Sequence, residues 1–348
     1  VALSAERSRV ICTVDLDREG RQAAYLRAPL SRNTSGWGAV EIPIIVLKNG
    51  KGPTLLFTGG VHGDEYEGPI AISKHARTLD PGRLQGRVIL MPAVNVPAVL
   101  ADTRLSPADG RDINRCFPGD PRGTFSQMLA HWMDAVLLPH VDVSVDLHTA
   151  GHSMDAALST NMHYIDDPAI RAETMRIAAA FGAPYNTVFW GVDESATFTS
   201  SVERQGKISV GTELGGWGRV NPEGVRIAER GILNVMKACG VMEGEPDTSQ
   251  RDGSLGARHM MVKDPGNFLF ARATATYEAK HLAGANVKAG ELAGLLHFVE
   301  DIDHEPLEVR YATSGVLWMG AGPGRVQRGD CLGVVMQDYD ARIADASR

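Results

Sequence analysis

The chain has 348 residues, 43% hydrophobic and 22% charged, enough for a large buried core in one sizeable domain with a smaller companion. Its net charge of −7, with no clustered basic stretch, argues against a nucleic-acid partner. No run approaches the roughly 18 unbroken apolar residues of a spanning helix, no charged-then-apolar leader is visible, and Cys12, Cys116, Cys239 and Cys331 are scattered, so a cytoplasmic protein with reduced thiols and no membrane partner is expected.

Residues 1–36 are polar and mixed, and predict an N-terminal arm or edge strands, with one strand-like piece at 10–14. Residues 40–47 alternate and are β-branched, which predicts a strand that Pro43 pushes toward the sheet edge. Asn49-Gly50 signals a hairpin leading into 53–58. The run Pro53-Thr54-Leu55-Leu56-Phe57, closed off by Gly52 and Gly59, reads as a buried strand of a parallel sheet. Behind it, Thr58-Gly59-Gly60-Val61-His62-Gly63-Asp64-Glu65 places His62 and Glu65 on the loop that leaves the strand's carboxyl end, where open α/β sheets bind ligands. Both side chains are good ligands for zinc.

A helix over 67–79, stopped by Asp80-Pro81-Gly82, and a buried strand over 88–92 come next. Residues 101–121 lack periodicity and are dense in Asp, Arg, Gly and Pro, which marks a functional loop. It carries Arg104, Arg111, Asn114 and Arg115, and arginine suits bidentate recognition of a carboxylate. A helix over 123–138 leads to a strand over 141–147 that ends in Asp146-Leu147-His148 and a glycine turn. His148 therefore stands where His62 does, with Asp146 two residues upstream to orient the site and His152 as a rival ligand past the turn.

A helix over 168–181 and a loop over 185–200 precede a third strand, 207–214, which ends in Glu213 before Gly215-Gly216. A further helix spans 223–238. Taken singly, each of these residues is as well explained by a surface ion pair or a hydrogen-bonded core histidine. Three strand ends carrying His and Glu, His, and Glu, each beside glycine, form a joint pattern that chance explains poorly. Residues 243–256 read as a linker. Beyond it, short runs at 268–270, 295–299, 307–311 and 331–335 alternate with glycine turns and predict a small all-β module. The expected organisation is an arm at 1–36, a catalytic domain at 37–245 and a β domain at 257–348.

Zinc on three protein ligands with one open position lowers the pKa of a bound water to about 7. His62, Glu65 and His148 supply such a set, and Glu213 is the natural general base. Arg104 on the long loop is placed to stabilise a tetrahedral oxyanion, while Asn114 and Arg115 are placed to grip a substrate carboxylate. The reaction class is metal-assisted amide hydrolysis.

These motifs, His62-Gly63-Asp64-Glu65, Asn114-Arg115, Asp146-Leu147-His148 and Thr212-Glu213-Leu214-Gly215-Gly216, resemble the succinylglutamate desuccinylase/aspartoacylase family of the wider zinc carboxypeptidase group. The resemblance runs from about residue 40 to the C-terminus. It implies an α/β fold, a zinc carboxypeptidase-like mixed sheet flanked by helices, with a smaller C-terminal all-β, barrel-sandwich-like domain that favours small acyl-amino acids over peptides. It also implies one zinc on His62, Glu65 and His148, with Glu213 as base and Asn114 and Arg115 on the substrate carboxylate. The first arginine lies further from Asn114-Arg115 than in aspartoacylase itself, which leaves Arg104 and Arg111 both open for the oxyanion role.

A narrower similarity, carried by Ser35-Gly36-Trp37-Gly38-Ala39-Val40, His62 to Pro69 and Asn114 to Gly119, is to bacterial N-alpha-acetyl-L-2,4-diaminobutyrate deacetylases of ectoine breakdown. It implies a product whose side-chain ammonium needs an acidic partner, for which Asp155, Asp193 and Glu194 are candidates. Another acyl-amino acid substrate, a metallocarboxypeptidase activity and a non-catalytic binding module stay open, as does a homo-oligomer. The presence of Glu213 argues against the binder, which needs no base.

Overall fold

The computed structural model describes residues 8–190, 195–251 and 253–340. Its elements run β1 (Gly20–Pro29), β2 (Ala39–Asn49), β3 (Thr54–Gly59), α1 (Glu67–Thr78), β4 (Gly86–Met91), α2 (Val96–Ala101), α3 (Phe125–Trp132), β5 (Val143–Leu147), β6 (Met154–Ala156) and β7 (Ser159–His163). They continue with α4 (Pro168–Phe181), β8 (Tyr185–Phe189), α5 (Phe198–Arg204), β9 (Ile208–Glu213), α6 (Pro222–Ala238) and β10 (Arg258–Val262). Among these residues the sheet order is β1-β2-β4-β3-β5-β9-β7-β8-β10. Strands β4, β3, β5 and β9 are mutually parallel.

The apolar run at β3 is buried on both faces, as its composition requires. Leu56 enters one core with Phe125, Trp132 and Phe198, while Leu55 and Phe57 enter the other beneath α1, α4 and α6. The helices start and stop where the sequence supplies caps. Asp167 accepts from the Ala169 and Ile170 amides ahead of Pro168, and Gly182 closes α4 in the left-handed region. Asn221 caps α6 in the same way. The chain leaves β3 to one side for β4 and returns to the other for β5, so the crevice between the carboxyl ends of β3 and β5 is a topological switch point.

Several local expectations differ from the structure. Residues 10–14 form one isolated bridge, Ile11 to Arg27, because Val10, Cys12 and Val14 are held by burial against the core and not by a ladder. Strand β2 lies inside the sheet between β1 and β4; Pro43 is tolerated because the ladder to β4 begins only at Ile45. Asn49-Gly50 makes no hairpin, since β4 is inserted between β2 and β3. The predicted loop at 185–200 contains β8 and the start of α5. The helix expected over 123–138 is α-helical to Trp132 and then widens into a π turn over Met133–Leu137.

The C-terminal region adds β11 (Phe268–Phe270), β12 (Ala275–Ala279), β13 (Asn286–Val287), β14 (Leu292–His297), β15 (Leu307–Arg310), β16 (Gly315–Ala321), β17 (Arg325–Val326) and β18 (Cys331–Asp338). Strands β15-β14-β12-β17 make a separate antiparallel sheet. The other layer, β18-β16-β13, continues the main sheet, because β18 pairs with β10. A third core fills the space between the layers, around Leu269, Tyr277, Leu296, Tyr311 and Leu317. The fold is thus the α/β mixed sheet with an all-β C-terminal region that the sequence predicts. No helix among the described residues is long and apolar enough to cross a membrane.

Candidate metal centre and active site

Each residue of His62-Gly63-Asp64-Glu65 has a separate task at the switch point. Gly63 passes so close to α2 that a Cβ would lie 2.5 Å from the Val99 nitrogen and closer still to the Ala98 carbonyl. Asp64 accepts from the His152 amide at 2.8 Å, binding this loop to the one after β5. His62 and Glu65 are left to point inward, both at most 3% exposed. Two residues on, the buried Glu67 accepts from the Asn221 amide at 2.6 Å and joins the starts of α1 and α6.

Glu65 lies between the two imidazoles. Its Oε1 is 2.7 Å from His62 Nδ1 and its Oε2 is 2.8 Å from His148 Nδ1. Ligand atoms of His62, Glu65 and His148 all fall within 4.8 Å of one another. The opposite ring nitrogens are held by carboxylates: His62 Nε2 by Asp112 Oδ1 at 3.1 Å, and His148 Nε2 by Asp146 Oδ2 at 2.7 Å. Asp146 is itself fixed by the Thr58 hydroxyl at 2.6 Å. A carboxylate on Nε2 favours the proton there, so that loss of the Nδ1 proton to an incoming cation would leave the Nδ1 lone pair directed at the same point as the Glu65 carboxylate. Two nitrogen lone pairs and a carboxylate converging on one point are a donor set that fits zinc.

Charge in this cluster is balanced only by protons or by a cation. Burial opposes the charge of both histidines, yet Glu65 and Asp112 raise the pKa of His62, and Asp146 and Glu65 raise that of His148 well above its usual value. Burial works against the charge of Glu65 as well, but the two imidazoles hold it well below the usual carboxylate range. Asp112 is likewise held low, against its burial, by His62, Arg104 and Arg115.

Glu213 shares the same cavity. Burial, and then the charge of Glu65, push it up to about 8, and its buried Oε2 has no hydrogen-bond partner among the described residues. Arg104 reaches in from the long loop, with NH1 3.4 Å from His62 Nδ1 and NH2 donating to Asp112 Oδ2 at 2.9 Å. Asp112 also accepts from the Asn114 amide at 2.8 Å, so one carboxylate positions a ligand histidine, an arginine and the following turn. The Asn114 Oδ1 accepts from the Phe198 amide at 2.8 Å, which leaves its NH2 group to face the cavity.

The cavity measures about 280 Å³ and is lined by His62, Glu65, Arg104, Asn114, Arg115, His148 and Glu213. That is the small end of the roughly 300–1,000 Å³ of small-molecule sites, a size for an acyl-amino acid more than a peptide. Trp318 and Met319 of β16, Val334 of β18 and Phe268 of β11 complete the wall, so the C-terminal region narrows the space. Arg111 is not brought in: it sits on an exposed turn, paired through its backbone with Ser106. His152 turns away, toward Asp64 and Asp102. Asp155 faces a separate void of about 30 Å³ beside Trp217 and Tyr277, too small for a substrate, and Asp193 and Glu194 lie outside the described residues.

Sequence reading missed Asp112, Asn161 and His163 of this site. Asp112 stands in the motif run Arg111 to Arg115, and its place as the turn's cap, two residues before Asn114, is a signal that could have found it. Asn161 and His163 lie on β7, which carries no apolar alternation strong enough to announce a strand.

Comparison with known proteins adds to this geometry. The succinylglutamate desuccinylase/aspartoacylase catalytic domain matches residues 51–239. The N-alpha-acetyl-L-2,4-diaminobutyric acid deacetylase of Halomonas elongata is 39% identical over 333 residues, 95% of each chain. A crystal structure described as succinylglutamate desuccinylase/aspartoacylase from Rhodobacter sphaeroides is 64% identical with a TM-score of 0.93, covering 96% of this chain and all of its own. The product-bound ectoine utilization protein EutE (DoeB) of Ruegeria pomeroyi is 35% identical with a TM-score of 0.91 over the same shares.

Proposed function

The chain belongs to the succinylglutamate desuccinylase/aspartoacylase family, and from that premise we propose that it is a zinc-dependent deacylase. Its substrate in this reading is a small N-acyl amino acid, N-alpha-acetyl-L-2,4-diaminobutyrate, which it hydrolyses to acetate and the free diamino acid. The observation that carries the reading is the joint presence of His62, Glu65, His148 and Glu213, whose Oε2 has no hydrogen-bond partner among the described residues, in one small cavity beside Arg104, Asn114 and Arg115. The similarity to the Halomonas elongata deacetylase supports this choice of substrate within the class.

His62, Glu65 and His148 would hold the zinc, which when bound would supply a Lewis acid for the amide carbonyl and lower the pKa of water to near neutral. Glu213, in the same cavity as the three ligands, would take a proton from the attacking water and return it to the leaving amine. Arg104 stands beside His62 Nδ1, where negative charge develops on the carbonyl oxygen. The Asn114 amide and the Arg115 guanidinium bind the α-carboxylate, fixing the scissile bond relative to Glu213. The four unpaired cysteines fit a reducing cytoplasm.

The test is amine release from N-alpha-acetyl-2,4-diaminobutyrate, acetylaspartate, succinylglutamate and an acetylated dipeptide, before and after chelation. We expect the diaminobutyrate compound to lead, activity to vanish with the metal, and zinc to restore it. Turnover that survives complete metal removal, or a preference for the dipeptide, would overturn the reading.

A further inference from the structure

The floor of the cavity is the sheet itself, on the face shared by β9 and β7. The two strands are antiparallel, with Ser159 opposite Glu213 and Asn161 opposite Gly211. Residues two apart share a face, so Asn161 stands diagonally from Glu213, at the roughly 7–8 Å such neighbours keep, and both line the cavity. Gly211 lies beneath the Asn161 amide: a Cβ there would overlap Asn161 Oδ1 and lie 3.3 Å from its Nδ2. On the other flank β8 sets Thr187 opposite Asn161, but that hydroxyl donates to Met336 Sδ at 3.3 Å. Among the described residues the half-buried Asn161 amide therefore has no hydrogen-bond partner, although it faces the reacting centre.

The proposed reaction holds the leaving amino acid at two points, its amine at Glu213 and its α-carboxylate at Asn114 and Arg115. The side chain on the same carbon must take a third direction, along lining that these groups and the metal ligands leave. That lining includes an apolar wall of Phe268, Trp318, Met319 and Val334, and the polar floor at Asn161 over Gly211. Against the apolar wall an ammonium would lose its hydration with no hydrogen bond in exchange, which is costly. Over the floor it meets an amide oxygen, and the diagonal step from Glu213 to Asn161 suits the two methylenes between the α-carbon and the ammonium of diaminobutyrate. A neutral acceptor does this without setting another carboxylate beside Glu65 and Glu213. We infer that the Asn161 amide oxygen, in the space cleared by Gly211, accepts from the side-chain ammonium of the leaving amino acid, so that Asn161 selects N-acyl amino acids with a hydrogen-bond donor at that place. The inference rests on the deacylase reading above and deepens it by assigning the residue that reads the substrate's side chain.

Asn161→Leu keeps the branched shape of the side chain and removes its acceptor. The readout is the ratio of kcat/KM for N-acetyl-2,4-diaminobutyrate to that for N-acetylnorvaline, in which a methyl replaces the ammonium. A general loss of packing moves both values together; the loss of the acceptor moves the ratio. We expect the ratio to fall about 10–100-fold, mainly through KM of the cationic compound, because a hydrogen bond to a charged group is lost. Gly211→Ala reaches the same contact from below, since the added Cβ must push the Asn161 amide aside. It should lower the ratio in the same direction, and it decides the matter where Asn161→Leu does not fold. A folded Asn161→Leu protein that keeps the parent ratio overturns the inference and leaves the deacylase standing. A parent that hydrolyses both compounds without preference overturns it too, and a zinc-loaded parent that hydrolyses no N-acyl amino acid overturns both readings together.

Discussion

Adding a single methyl at Gly63 tests whether the loop geometry makes the metal centre. In Gly63→Ala the new Cβ would lie 2.5 Å from the Val99 nitrogen, against an ordinary contact of 3.4 Å or more, and it would overlap the Ala98 carbonyl. The backbone at residue 63 must therefore move by at least about 0.9 Å, the difference between those two distances. It cannot move freely, since the Gly63 amide donates to the Thr103 carbonyl at 2.9 Å and α2 is packed behind it. His62 is the adjacent residue and Glu65 follows two later, so the shift is transmitted directly to two of the three ligands. Overpacking of this kind costs roughly 1–3 kcal/mol in stability. A misplacement near 1 Å in an active site costs on the order of 10²-fold in rate. The assay is zinc content after dialysis against a metal buffer, with kcat and a thermal melt on the same samples. Gly36→Ala, at a position with nothing within 4 Å of the added atom, is the control and should match the parent. If Gly63→Ala binds zinc with the parent's affinity and turns over within a few-fold of it, the loop does not position the ligands as argued.

The remaining predictions concern the polar groups around the ligands. Glu213→Gln should lower kcat by roughly 10²–10⁴-fold with little change in zinc content, as loss of a general base requires; kinetics and elemental analysis on one preparation separate the two. In the metal-free protein Glu213 holds its proton to about pH 8, above its usual 4.5, so its contribution to stability is complete below about 4.5 and is lost as pH rises through 8. Melts of chelated protein across that range should show the parent losing up to a few kcal/mol more than Glu213→Gln, and parallel curves would dismiss the raised pKa. Asp112→Asn and Asp146→Asn should each weaken zinc binding about 10–100-fold, read by competition with a chelating dye; unchanged affinity would remove these carboxylates from the site. Arg115→Ala should raise KM for carboxylate substrates far more than it lowers kcat, and an unchanged KM would place the α-carboxylate elsewhere.

What could be read from the sequence followed from how short-range each signal is. The strand ends near Phe57, Leu147 and Glu213 are legible because β3 is an apolar run, β5 and β9 carry β-branched apolar residues, and each gives way to a His or Glu beside a glycine turn. Helices α4 and α6 were legible because their caps, Asp167 with Gly182 and Asn221 with Pro222, are local. The insertion of β4 between β2 and β3 was not, because a turn dipeptide such as Asn49-Gly50 reports chain reversal and says nothing of which strand becomes the neighbour. Nor was β7, whose Ser, Thr, Asn and His side chains are explained only by the Glu203 and Gly211 that other elements bring beside them. The same limit separated Arg104 from Arg111: both stand on one aperiodic loop, and only the Ser106–Arg111 bridge, which turns the second outward, distinguishes them.

The continuity of the main sheet through β10 into β18 bears on what would happen if the C-terminal region were cut away. At its other end the sheet finishes on β1, whose outward residues include Arg21, Arg27 and Pro29 and which the N-terminal arm touches at Ile11. Such an edge resists pairing with a second molecule. Strand β8, Tyr-Asn-Thr-Val-Phe, has no such protection of its own and is shielded by β10, which is covered in turn by β18. A chain ending near residue 257 would keep His62, Glu65, His148 and Glu213 yet present β8 as a bare, largely apolar edge. Its first fate would be self-association through that strand, so the β region acts as a solubility cap for the sheet as well as a wall of the cavity.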